Sequence, residues 1–185
     1  MNYYQYNSVV GRLLLFSDGR ALKKVTFVSP SDNAFDTSDN ALDISMTNHS
    51  ANSSLVACEL PVNDELRDSV LKEACHQLDE WFAGERKCFD LPLAPDGTDF
   101  QKEVWQALQK IPYGTTCSYS DLAKQIGKPQ AARAVGAANG QNPIALIIPC
   151  HRVIGADGSL TGYAFGVERK KKLLNFEAQH QLQLF

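Results

Sequence analysis

IALIIPCHRVIG, residues 144–155, is the stretch around which the chain is organised. Six consecutive apolar residues, 144–149, run straight into Cys150, His151 and Arg152. A short apolar run with an abrupt end predicts a fully buried strand, stopped by Pro149, which has no amide proton for a sheet ladder. A thiol, an imidazole and a guanidinium then stand where a rigid element reaches an edge. Cysteine attacks only as thiolate, and an ordinary pKa of about 8.5 leaves little thiolate at neutral pH. His151 is the nearest base. Successive side chains of extended backbone point to opposite faces, so Cys150 and His151 can meet only through a turn after Pro149 or a bridging water. The imidazole also needs an orienting group, usually a carboxylate; Glu177 is the candidate. The bland alternative is a buried structural thiol, which two ionisable neighbours disfavour.

At 185 residues, 44% hydrophobic and 21% charged, the composition is that of an ordinary globular protein with one domain or two small ones. The opening MNYYQYNSVVGR lacks the basic-then-apolar pattern of a signal peptide, and no apolar run reaches the roughly 18 residues of a membrane span. Five cysteines with no C-x-x-C pair fit reduced thiols, so a cytoplasmic location without membrane contact is expected. No set of Cys and His has zinc-ligand spacing, so no metal and no cofactor are expected. The net charge of −3 is uneven. Residues 1–95 carry 8 Lys and Arg against 14 Asp and Glu, a net −6, while residues 96–185 carry 10 against 7, a net +3. The half containing the Cys-His-Arg cluster is the basic one, which keeps a phosphate-bearing partner open.

Outward from the cluster, the chain reads as α+β. In residues 8–28, apolar runs at 13–16 and 25–28 flank Ser17-Asp18-Gly19-Arg20, a hairpin signal. Residues 29–54 are a long polar loop whose two Asn-x-Ser sequons are coincidental without a secretory signal, and residues 55–60 offer a third strand. Residues 64–83 predict a helix, with Leu66, Val70, Ala74, Leu78 and Phe82 every fourth residue and Leu71 and Trp81 widening the stripe. The prolines and glycine of residues 92–97 mark a linker between an N-terminal domain, 1–92, and a mainly helical C-terminal domain, 97–185. Thr98-Asp99-Phe100-Gln101 is a capping box opening one helix, and Ser118-Tyr119-Ser120-Asp121 opens a second that stops at Gly127. Pro129 starts a third, running to about Asn139. The last two read as helix-turn-helix. A final helix runs from Val167 to about His180, and the basic run 169–172 at its start reads as a solvated face or a phosphate contact.

PQAARAVGAANG, residues 129–140, is almost bare of side chains apart from Arg133 and Val135. One reading is tight packing on a neighbouring helix. The other is close approach to DNA: a helix with ordinary side chains is about 10–12 Å across, whereas the minor groove is only about 6 Å wide. A helix presented there must be trimmed to its backbone.

Pro149-Cys150-His151-Arg152-Val153 resembles the signature of the O6-alkylguanine-DNA alkyltransferases, the methylated-DNA–protein-cysteine methyltransferase family. The resemblance extends, in register across about 98–177, through Phe100 to Trp105, Ile111-Pro112-Tyr113-Gly114, Ser118-Tyr119, Ala131-Ala132-Arg133-Ala134-Val135-Gly136, Asn142-Pro143, Gly162-Tyr163, Leu173-Leu174 and Glu177. It implies a protein that removes alkyl groups from O6 of guanine, and less readily O4 of thymine, by a single irreversible transfer to Cys150. His151 would take the thiol proton through a water, Glu177 would orient His151, Asn142 would brace the active-site turn, and Tyr119 would hydrogen-bond the departing guanine. Arg133 would fill the space left by a flipped base, on a minor-groove helix carrying Ala131, Ala132 and Gly136. The carbonyls of Cys150 and Val153 and the amide of Ala164 would read the guanine edge, with Tyr163 walling the pocket. The implied partner is double-stranded DNA containing O6-alkylguanine, bound by a monomer.

Two departures matter. Many family members have Gly-Gly where this chain has Phe165-Gly166, which predicts a pocket that takes methyl well and benzyl poorly. Some relatives bind zinc in the N-terminal domain, and this chain lacks a matching Cys/His set. Three alternatives stay open: a lesion-binding relative without transfer, a helix-turn-helix regulator without chemistry, and a thiol hydrolase built on Cys150 and His151.

Overall fold

A computed structural model describes residues 1–28 and 68–182. Three antiparallel strands open the chain, in the order β1 (Asn2–Ser8), β2 (Gly11–Ser17) and β3 (Leu22–Phe27). The expected hairpin is β2–β3; Asp18 Oδ1 accepts the amides of Arg20 and Ala21 at 2.9 Å in its turn. Strand β1 adds an element not read from the sequence. Its period is visible in hindsight, since Tyr4 and Tyr6 are buried while Tyr3 and Gln5 face out. The possible strand at 55–60 and the polar loop lie outside the described residues.

Helix α1 (Ser69–Phe82) starts later than its apolar stripe, because Asp68 caps it by accepting the amides of Val70 and Leu71. Val70, Leu71, Ala74, Leu78 and Trp81 are buried, with the Trp81 ring against Phe89, Tyr113 and Phe176. Removing each large side chain from water contributes about 2–3 kcal/mol. The expected linker is ordered as an edge of the sheet: Leu22 donates to Pro92 O and Ala94 donates to Leu22 O, at 2.7 and 3.0 Å.

Helix α2 (Asp99–Leu108) has both arms of its capping box, Gln101 N to Thr98 Oγ1 and Thr98 N to Gln101 Oε1. Strand β4 (Cys117–Ser118) leads into α3 (Tyr119–Gln125), which Ser118 caps by accepting the Asp121 amide. Gly127, at φ +70°, makes the left-handed turn that ends it. The next helix begins as a 3-10 turn at Pro129–Ala131 and becomes regular only as α4 (Ala132–Gly140). Trp105 Nε1 donates to Ala138 O at 2.8 Å, fixing α2 on α4. Strand β5 (Val153–Ile154) pairs in parallel with β4, and α5 (Val167–Leu182) closes the fold. The result is the expected α+β arrangement, a small antiparallel sheet with a helix followed by a mainly helical region with a helix-turn-helix.

The apolar run 144–148 is buried as expected but is not the expected strand. Only Ile144 bridges a strand, to Val25 of β3, and the chain then coils, with Leu146 at φ +70°. Asn142 is the reason. Its Oδ1 accepts the Ile144 amide at 3.0 Å, and its Nδ2 donates to Ile144 O at 3.3 Å and Ile148 O at 2.8 Å. One amide side chain thus satisfies inside the core the backbone groups that a sheet partner would otherwise take. Apolarity reported the burial of this segment; it carried no information on the backbone form.

Candidate active site

Three elements converge beneath the thiol. The coil 142–149 delivers Cys150 into a 3-10 turn, Cys150–Arg152, which is the turn that adjacent Cys and His side chains require. Helix α5 brings Glu177 from one side, and β4 with the first turn of α3 brings Tyr119 from another. Cys150, His151, Arg152, Asn142 and Glu177 are all buried.

Glu177 is the hub. Its Oε1 lies 2.8 Å from His151 Nε2, Arg152 donates to it from Nε (3.2 and 3.0 Å to the two oxygens) and Nη2 (2.9 Å), and the Gly114 amide donates to Oε2 at 2.9 Å. Burial alone would raise this carboxyl, but His151 and Arg152 outweigh it and hold the pKa at about 2. Arg152 is itself satisfied by donating to Ile111 O at 2.7 Å over the Tyr113 ring. Because a carboxylate only accepts, the hydrogen between His151 and Glu177 sits on Nε2. Burial lowers the His151 pKa despite Glu177, so the ring is neutral, and its Nδ1 holds a lone pair. That atom is buried with no hydrogen-bond partner among the described residues.

Burial pushes the Cys150 thiol up, so the resting side chain is protonated. Asn142 Nδ2, 3.1 Å from Sγ, and the positive charge of Lys170 pull the other way. The arrangement is a protonated nucleophile, a neutral base and a donor that favours the thiolate. It can lose a proton locally and attack an electrophilic centre.

Around this centre, Tyr119 donates weakly to Thr161 O and Gly162 O at 3.3 and 3.4 Å, and burial raises its pKa, so it is a phenol and a proton donor. Tyr163 and Phe165 stack edge to face at 5.5 Å, and Ala164 is exposed between them. The Val153 carbonyl accepts Lys170 Nζ at 2.5 Å, and the Cys150 carbonyl accepts both the Val153 amide, which closes the 3-10 turn, and Asn139 Nδ2 at 3.4 Å. Gly136 lies over Tyr119, whose ring a Cβ there would meet at 3.6 Å. Arg133, one turn earlier, is exposed and makes no hydrogen bond or ion pair among the described residues; Ala131 and Ala132 are half-buried. The helix-turn-helix is therefore joined to the thiol cluster through Tyr119 and through Asn139 of α4, whose Nδ2 donates to the Cys150 carbonyl.

Comparison with known proteins places this geometry. Residues 99–179 match a family model described as the DNA binding domain of 6-O-methylguanine DNA methyltransferase, and residues 1–95 match its ribonuclease-like domain. The chain is 44% identical over 177 residues, covering 96% of it and 98% of the relative, to a methylated-DNA--protein-cysteine methyltransferase of Methanosarcina acetivorans. The chain belongs to the 6-O-methylguanine DNA methyltransferase family. Its structure also resembles that of Mycobacterium tuberculosis OGT solved in complex with DNA, at a TM-score of 0.74 and 40% identity over 97% of this chain and 94% of that one. An O6-methylguanine DNA methyltransferase from Methanococcus jannaschii aligns at 0.58 and 25%, covering 96% and 92%.

Within this methyltransferase-family chain, two lysine and arginine positions escape the sequence reading. Of the basic run 169–172, only Lys171 and Lys172 are exposed. Lys170 is fully buried, donating to Val153 O and, at 2.8 Å, to Thr161 O beneath the Tyr119 ring. The signal was present: Lys170, Leu173 and Glu177 recur at i, i+3 and i+7, one helical face. Arg169 is half-buried against the N-terminal sheet. Among the described residues no group of His, Cys, Asp or Glu is placed to hold a metal, and no helix is long and apolar enough to cross a membrane.

Proposed function

We propose that this protein repairs alkylated DNA directly, moving an alkyl group, mainly methyl, from O6 of guanine to Cys150 once per chain. O4 of thymine is the poorer substrate. The observation that carries the reading is the buried thiol bonded to Asn142 and followed by a neutral imidazole whose Nε2 is committed to Glu177. The names of the relatives and the DNA-bound structure supply the substrate class.

His151 Nδ1 takes the thiol proton, directly or through a water, and Glu177 stabilises the imidazolium that forms. The sulfur attacks the alkyl carbon opposite O6. An S–C bond forms as the C–O6 bond breaks, and the electron pair leaves on O6 into the guanine ring. Guanine regains one proton, balancing the one the thiol lost, and Tyr119 donates a hydrogen bond near N3 meanwhile. A thioether is a poor leaving group, and no group in the site activates water against it, so the transfer ends the chain's activity. The thiol, base and carboxylate supply every group this displacement uses, so neither metal nor cofactor is required.

O6 is stacked inside the duplex, so the base must be flipped out. The small residues Ala131, Ala132 and Gly136 let the helix-turn-helix approach the minor groove, and Arg133 occupies the space the base leaves. The Cys150 and Val153 carbonyls and the Ala164 amide read the guanine edge, Tyr163 walls the pocket, and Phe165 narrows it. The protein acts as a monomer in the cytoplasm, consistent with Cys75, Cys88, Cys117 and Cys150 forming no disulfide among the described residues. Incubation with duplex DNA containing O6-methylguanine tests the reading. One methyl per chain on the Cys150 peptide, lost in Cys150→Ala, is expected; repeated turnover or no transfer overturns it.

A further inference from the structure

Arg169 joins the two parts of the chain at the rim of the proposed alkyl pocket. Its Nε donates to Val10 O in the β1–β2 turn at 2.9 Å, and its Nη1 donates to Phe165 O at 3.0 Å. Its guanidinium carbon lies 4.4 Å from the centre of the Phe27 ring, and Phe27 packs edge to face on Phe165 at 5.2 Å. The β1–β2 turn is shaped for this contact. Gly11 adopts φ +124°, and a Cβ there would stand 3.1 Å from the guanidinium. The same sheet holds the other side of the site, through the Val25 amide to Pro143 O and the Ala145 amide to Val25 O, both at 2.9 Å.

We propose that Arg169 is a positioning residue that makes the N-terminal sheet a wall of the alkyl pocket, fixing Phe165 and so setting which alkyl groups enter. This rests on the alkyl-transfer reading above. A guanidinium is needed because it offers donors in a fixed fork while its face stacks on an aromatic ring. A lysine can serve one carbonyl at a time and does not stack as a plane. Released from Arg169 and Phe27, the 163–166 segment loses the contacts that hold Phe165 in place, and the pocket admits larger groups at the expense of methyl alignment.

The test measures single-turnover transfer from duplexes of one sequence carrying O6-methylguanine or O6-benzylguanine. Wild type, Arg169→Ala, Arg169→Lys, Phe27→Leu and the exposed control Lys172→Ala are compared, with melting temperature recorded for each. In Arg169→Ala, methyl transfer is expected to slow about fivefold or more and the benzyl-to-methyl rate ratio to rise about fivefold or more, the scale of a misplaced reacting group. Arg169→Lys and Phe27→Leu shift the ratio in the same direction by less, and Lys172→Ala leaves it unchanged. A simple loss of stability lowers both rates together and does not move the ratio. A ratio unchanged in the folded Arg169→Lys and Phe27→Leu proteins overturns the proposal. Failure of wild type to transfer either group overturns the underlying reading instead.

Discussion

The Oε1 of Glu177 and the Nε2 of His151 lie 2.8 Å apart, both side chains wholly buried, and this contact decides which nitrogen of the imidazole is basic. With the Nε2 hydrogen directed at the carboxylate, Nδ1 is the only acceptor left for a proton. Glu177→Gln keeps the shape and removes the charge that stabilises the imidazolium and neutralises Arg152. Methyl transfer should fall by about a hundredfold, the scale of a lost general base, and stability by about 3 kcal/mol, the scale of a broken buried pair. Rapid-quench transfer and urea unfolding measure the two. A rate within about threefold of wild type would remove His151 as the base.

The same carboxylate gives the fold an acid limit. Its folded pKa, about 2, lies below its ordinary 4.5. The unfolded chain therefore binds the proton first as pH falls. The stabilisation is complete above about pH 4.5 and disappears as pH drops toward 2, amounting to about 3 kcal/mol. Melting temperature should fall more steeply across that window in wild type than in Glu177→Gln. Parallel curves would show that the ion pair contributes nothing to acid stability.

Asn142 serves the turn and the sulfur with one amide group. Asn142→Ala removes the donor to Sγ, and Asn142→Asp replaces it with a negative charge. The thiol should titrate higher in both, and highest in the aspartate variant, where a like charge opposes the thiolate. Thiolate absorbance followed against pH reads this directly in protein shown to be folded by circular dichroism. An aspartate variant that titrates at or below wild type contradicts the assigned contact.

Residue type and local spacing announced most of this architecture. The β2–β3 turn, the capping box at Thr98 and the stripe of α1 are short-range signals that the structure contains. At Ser118 the expected box is reduced to a single cap, because the Asp121 carboxylate takes the Ser118 hydroxyl and not its amide. The segment 144–148 was legible only as buried, because the group that shapes its backbone is the side chain of Asn142, which no periodicity describes. Cys150 and His151 were legible from their own motif, whereas Asn142 was named only by the family resemblance and Glu177 only as a candidate orienting carboxylate, 26 residues from His151. Arg169 was not, and the face that Lys170 shares with Leu173 and Glu177 was masked, since a run of four basic residues reads as a solvated face. Their burial depends on what β3, β5 and the 161–165 segment bring to that helix, which is a long-range fact.

Leu146 sets strain against burial. Its φ of +70° costs a non-glycine residue about 1–2 kcal/mol, yet its side chain is 1% exposed. Deleting such a side chain costs about 2–5 kcal/mol. Packing therefore wins, and Leu146→Gly should destabilise the protein by about 2 kcal/mol, although glycine suits the backbone better. An equal or higher urea midpoint would mean that the strain outweighs the packing.

Arg133 separates the DNA step from the chemistry. It is exposed, and its side chain makes no hydrogen bond or ion pair among the described residues. Arg133→Ala should therefore leave melting temperature and the slow reaction with free O6-methylguanine base within about twofold of wild type, as surface substitutions do. Transfer from duplex DNA should slow about tenfold or more, because an inserted side chain compensates for the lost stacking of the flipped base. Single-stranded DNA carrying the same lesion should fall between the two, since there is less stacking to replace. Measured together, the three substrates assign any loss to one step. Equal slowing on free base and duplex would place Arg133 in the chemistry, and no slowing on duplex would remove it from base flipping.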